Sequence, residues 1–148
     1  ILDSILNRII VNRLKGRQAF VFIDEIYILF MHEYSAQFLF KLWKRVRKYG
    51  AYCTGLTQNV EDLLQSHTAR TMLSNSEFII MLNQAATDRD ELAKLLNISD
   101  QQLSFIKNVS AGCGLIKVGS SLVPFENNFP KNTKLYRLMT TKPNDDFR

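Results

Sequence analysis

Ala19-Phe20-Val21-Phe22-Ile23-Asp24-Glu25 is the stretch on which the fold turns: five apolar residues without interruption, closed by two adjacent carboxylates. A strand apolar on both faces is expected inside a parallel sheet covered by helices, not on an open one. In such sheets ligands bind at the carboxyl ends of strands, so the position of Asp24 and Glu25 informs as much as their charge. Working outward, Leu2, Ile5, Leu6, Ile9, Ile10 and Leu14 form a helical stripe, with Asp3 and Ser4 at its start and Gly16 as its stop. Downstream, Phe38, Leu39, Leu42, Trp43, Val46 and Tyr49 line one side of a helix expected over 35–49, ended by Gly50. A second strand is expected over 51–57, and Asn59 opens a helical turn through Leu64 and Gln65. Thr68 opens one more turn toward Ser74, and Phe78-Ile79-Ile80-Met81-Leu82 reads as a third buried strand. Thr87 with Asp90 is read as a capping pair for a helix to Leu96, and Ser99 with Gln102 as a capping box for the next. Late in the chain, 115–118 and 122–125 flank Gly119-Ser120-Ser121 as a hairpin, whose Pro124 belongs on a sheet edge. Strand and helix alternate three times before this hairpin, which predicts an α/β layered domain with a parallel sheet.

Composition agrees with that class. The 148 residues are 46% apolar and 22% charged, close to the globular average. The longest apolar stretch, 26–31, is far short of the roughly 20 residues a membrane span needs. Cys53 and Cys113 make no disulfide framework and read as one buried thiol and one loop thiol of a reduced intracellular protein. A net charge of +5 permits contact with nucleic acid or an acidic surface without requiring it. The first residue is Ile1, and the chain is read as a piece of a longer protein.

Two adjacent carboxylates at a strand end suit one task well. The first can hold Mg²⁺, through water, beside a nucleotide's phosphates, and the second can orient the water that attacks the γ-phosphate. Four apolar residues before Asp-Glu also arise by chance. The next strand, however, ends in Thr57-Gln58 at the equivalent edge. A neutral amide there can donate to a phosphate oxygen without adding charge to an anionic site. Five cations within eight residues, Lys41, Lys44, Arg45, Arg47 and Lys48, form the other candidate. They suit a solvated helix end or subunit contact, an arginine used in catalysis, or contact with DNA phosphates. His32 and His67 lack partners at zinc spacing, Trp43 reads as packing, and neither Ser35 nor Ser66 has a paired His in a nucleophile pattern.

With these residues in view the chain resembles the motor ATPases of bacterial conjugation and type IV secretion, in the FtsK–HerA branch of RecA-like P-loop NTPases. The likeness runs through "VFIDEIYILF", "RKYGAYCTGLTQNVEDLL" and "KLYRLMTTKP", and extends to the large ATPases of integrative conjugative elements of Gram-positive bacteria. It implies that Asp24 is the Walker B partner of Mg²⁺ and ATP, Glu25 the catalytic base and Gln58 the γ-phosphate sensor. It also implies an arginine supplied to a neighbour's nucleotide, for which Arg47 fits best and Arg45 is the reserve. Residues 1–148 would then be the carboxy-terminal part of a RecA-like motor domain. Within it, 1–98 would carry the Walker B and sensor strands, 99–139 a helix, hairpin and closing segment, and 140–148 a polar, fraying tail.

The same resemblance implies a ring, hexameric in the parent protein, that works with other secretion-channel proteins at the inner face of the cell membrane. One departure is large. No G-x-x-x-x-G-K-[ST] occurs; "GAYCTGLT" at 50–57 imitates its spacing but carries Leu56 where Lys is required. Walker A is therefore expected upstream, and this piece alone is expected to hydrolyse ATP negligibly. In the resembled fold the missing strand separates the second and third strands. The isolated piece is thus expected to close that gap or to self-associate through it. Two other functions fit the same residues: a non-catalytic NTPase-like interaction module, and a DNA-translocating or helicase-type ATPase.

Overall fold

The computed structural model describes residues 2–107 and 109–140. In chain order the elements are α1 (Leu2–Leu14), β1 (Ala19–Ile23), α2 (Tyr27–Phe30), α3 (Glu33–Arg45), a 3-10 turn (Val46–Tyr49), β2 (Ala51–Gly55), α4 (Val60–Gln65) and α5 (His67–Ser74). They continue with β3 (Phe78–Met81), α6 (Ala86–Leu96), α7 (Asp100–Leu103), a second 3-10 turn (Ser104–Ile106), β4 (Cys113–Val118), β5 (Ser121–Glu126) and α8 (Lys134–Met139). The expected fraying of the tail concerns residues 141–148, outside those described.

The described residues fall into two compact units. The first runs to Glu77 and takes in Ala86–Ile98; the second takes Phe78–Ala85 and resumes at Ser99.

In the first unit β1 and β2 pair in parallel, in register from Ala19 opposite Ala51 to Ile23 opposite Gly55. Ile9 of α1, Leu42 of α3 and Val46 of the following 3-10 turn are buried against Ala51, with Ala19, Val21 and Cys53 packed beside them. Burial there pushes the Cys53 thiol up to about 11, so it stays protonated and unreactive at neutral pH. A second cluster, Ile26, Leu39, Leu63, Ala69 and Met72, joins α3 to α4 and α5. Arg70 of α5 hydrogen-bonds the Leu64 carbonyl and lies 3.8 Å from Glu91 of α6.

Among the described residues the opposite face of the pair is open, where cover on both sides was expected. Phe20, Phe22 and Tyr52 are 63%, 71% and 54% exposed, and the Phe20 and Tyr52 rings stack at 5.2 Å. The reason lies in where the helices pack: α1 and α3 both use the Ala19–Val21–Ala51–Cys53 face. β2 pairs with β1 alone among the described residues.

The second unit is a three-stranded antiparallel sheet of order β3-β4-β5. The apolar run at 78–81 pairs antiparallel with β4, from Phe78 opposite Val118 to Met81 opposite Leu115, and against the expectation of a buried strand its Phe78 and Ile80 are exposed. The hairpin is as expected, with Gly119 in left-handed backbone (φ 56) at the head of a two-residue turn. Pro124 sits on the edge strand, opposite Leu115. Cys113 opens β4 and is not a loop thiol. The capping box is present, with Ser99 and Gln102 exchanging hydrogen bonds, whereas α6 begins at Ala86 and so places Thr87 inside the helix.

Close approach of β3 to β4 makes Gly114 indispensable. A Cβ there would overlap the Met81 carbonyl oxygen and stand 3.0 Å from the Phe125 ring. Backbone cannot yield as a flexible side-chain tip can. Gly114→Ala is expected to destabilise this unit by about 2–3 kcal/mol, read as a lowered chemical-denaturation midpoint; an unshifted midpoint would contradict the close approach.

Candidate functional site

The parallel pair brings three of the sequence-derived site residues to one edge. Asp24 and Glu25 follow the last residue of β1, and the ladder continues past them: Leu56 N–H donates to Ile23 O (2.8 Å) and Ile26 N–H to Leu56 O (2.9 Å). Between those two bonds the chain must bulge, and Glu25 takes left-handed backbone at φ 46. Such a conformation in a non-glycine residue costs on the order of 1 kcal/mol and is tolerated where surroundings impose it. Asp24 Oδ1 accepts the Glu25 N–H at 3.0 Å. Glu25 Oε2 in turn accepts the Gln58 backbone N–H at 3.4 Å. Residues 33 apart in sequence are thereby joined at the carboxyl ends of adjacent strands. Asp24 and Gln58 are exposed, and Glu25 is half-buried.

Neighbouring residues hold this edge. Ile26 is buried against Leu39, Leu63 and Met72, and a Cβ on Gly55 would stand 2.6 Å from its Cδ1. Ser35 Oγ donates to the carbonyls of Leu29 and His32 and so ties α2 to the start of α3. Gln58 is held from both sides. Thr57 Oγ1 accepts the Asn59 N–H at 3.1 Å, and Asn59 caps α4 by accepting the Asp62 N–H at 3.0 Å. The Asn59-x-x-Asp62 spacing was visible in the sequence; the role of Ser35 was not, because no capping pattern announces a serine that bridges two helices.

Arg47 is not brought to this edge. It lies in the 3-10 turn that enters β2, at the end of the pair where both strands begin. Strands of five residues at about 3.3 Å each separate the two ends by roughly 15 Å. Arg45, the reserve, ends α3 just before that turn. Trp43 packs with the core cluster and donates from Nε1 to Ser76 Oγ at 3.4 Å. Lys44 Nζ stands 4.0 Å over the Phe40 ring of its own helix. His32 precedes α3 and His67 opens α5.

The family model of the TraG P-loop domain matches residues 1–113. The chain belongs to the TraG P-loop domain family. Among solved structures, VirB4 of Thermoanaerobacter pseudethanolicus has the same fold, with a TM-score of 0.72 at 23% identity over 81% of this chain. That match takes in 34% of the VirB4 chain, so the present sequence spans about a third of that relative. No curated protein sequence matches.

For a member of a P-loop family the relevant ligand is a nucleotide triphosphate with Mg²⁺. The donor set fits one half of that requirement. Exposed Asp24 offers hard carboxylate oxygen, and half-buried Glu25 has Oε2 held by the Gln58 backbone N–H. The other half, the loop of backbone amides and Lys that cradles phosphates, has no counterpart in the 148 residues.

Proposed function

We propose that the full-length protein is an ATP-hydrolysing motor of a conjugative transfer or type IV secretion apparatus. In this reading it assembles as a ring, hexameric, peripheral to the inner face of the cell membrane, together with other channel proteins. Asp24 holds the water shell of the metal, Glu25 accepts a proton from the attacking water, and Gln58 reports the γ-phosphate. Arg47 serves a neighbouring subunit. Mg²⁺, when bound, neutralises charge that builds on the phosphate oxygens. What supports the reading most is the hydrogen bond from the Gln58 backbone to Glu25, which couples the two strand ends in a member of the TraG P-loop family.

The test uses the full-length protein. Asp24→Asn keeps the side-chain shape and removes its charge. Mg²⁺-dependent ATP affinity, read by titration with and without chelator, is expected to fall about 10- to 100-fold. Equal affinity in the variant would remove Asp24 from the site and favour a non-catalytic interaction module.

A further inference from the structure

The ladder between β1 and β2 runs out at Leu56, whose N–H and C=O are taken up by Ile23 and Ile26. Helix α4 begins at Val60, with Asn59 as its cap. Thr57, Gln58 and Asn59 therefore cross from strand to helix with no ladder to hold them, and their backbone groups need other partners. One hydroxyl supplies two of these. Thr57 Oγ1 accepts the Asn59 N–H at 3.1 Å and donates to the Asn59 carbonyl at 3.0 Å, closing a tight turn with Gln58 at its apex. From that apex the Gln58 N–H donates to Glu25 Oε2 at 3.4 Å.

A bond of that length lies at the long end of the hydrogen-bond range, so its strength alone fixes little. It can place a carboxylate only if its donor is itself held. The other restraint on Glu25, its N–H donated to Asp24 Oδ1 at 3.0 Å, stops at the backbone. Chain propensity does not account for the Thr57 hydroxyl, since valine has the same branched shape and suits a strand end as well. We propose that Thr57 is a positioning residue: its hydroxyl shapes the turn that presents the Gln58 N–H to Glu25, and so sets where the Glu25 carboxylate receives a proton. This rests on the reading of Glu25 as the proton acceptor. Thr57 acts through the Gln58 N–H and not on the nucleotide. Its effect therefore falls on turnover and not on nucleotide binding, and vanishes once residue 25 can no longer accept a proton.

Steady-state phosphate release and ATP titration on the full-length protein test it. Thr57→Val keeps the branched shape and removes both bonds to Asn59. It is expected to lower kcat about 10- to 100-fold, the cost of misplacing a reacting group by up to about 1 Å. ATP affinity is expected to stay at the wild-type value, which also shows that the variant is folded. Thr57→Ser keeps the hydroxyl and is expected to recover most of the turnover. T57V/E25Q is expected to turn over no more slowly than E25Q alone, because residues that act as a unit do not add. Wild-type kcat in Thr57→Val overturns the proposal, as does a Ser variant as slow as the Val one. A double variant slower than E25Q by the full Thr57→Val factor also overturns it and makes Thr57 a structural residue. Failure of the underlying reading looks different: E25Q itself then keeps wild-type turnover, and the positioning role falls with it.

Discussion

Glu25→Gln in the full-length protein leaves ATP binding intact and lowers turnover by about 10²- to 10⁴-fold, the range associated with a positioned general base. The substitution is isosteric. Its carboxamide oxygen can still accept the Gln58 N–H, so the link between strand ends survives and only proton acceptance is lost. Steady-state phosphate release and nucleotide titration on the same preparation separate the two effects, and undiminished turnover refutes the assignment. A companion substitution separates chemistry from folding. Glu25 stands at φ 46, a backbone that glycine adopts freely. Glu25→Gly is therefore expected to keep or raise thermal stability, by about 1 kcal/mol, while turnover falls as in the Gln variant. Loss of stability and turnover together would make Glu25 a structural residue.

The second large effect concerns Arg47. An arginine that stabilises a transferring phosphoryl group contributes about 10³- to 10⁵-fold in rate, so Arg47→Ala is expected to reduce turnover by at least about 10³-fold. The distance argument makes a sharper test. Arg47 and Glu25 stand at opposite ends of one parallel pair, too far apart to share a nucleotide within one subunit. Mixing Arg47→Ala subunits with Glu25→Gln subunits must then create some interfaces where an intact Glu25 meets an intact Arg47. Turnover in the mixture is expected to exceed that of either variant alone. A mixture no more active than its components would remove Arg47 from catalysis in trans.

How much of this was legible beforehand depends on the range of the interactions involved. The unbroken 19–23 run predicted a strand, and the stripe from Leu2 to Leu14 predicted a helix with those ends. The Ser99–Gln102 box, the Gly119 turn and the edge position of Pro124 all emerged as read, because each is decided within a few residues by capping or turn chemistry. The side-by-side placement of Asp24–Glu25 and Thr57–Gln58 also followed from pattern, once two apolar strands joined by a helix were read as parts of one parallel sheet. Less visible was α2, whose four residues merged with the apolar run at 26–31, and Ser66 rather than Thr68 proved to cap α5.

Local chemistry thus determined which segments are strands and helices and which side chains terminate them, because caps, turns and periodicity act over spans of three to seven residues that the sequence displays directly. Tertiary structure alone decided that 78–81 pairs antiparallel with 115–118, that α1 and α3 pack on the same face of the β1–β2 pair, and that Glu25 must turn left-handed to let the ladder pass. An apolar side chain carries no label for the partner that will cover it, so these outcomes rest on which long-range surfaces actually meet.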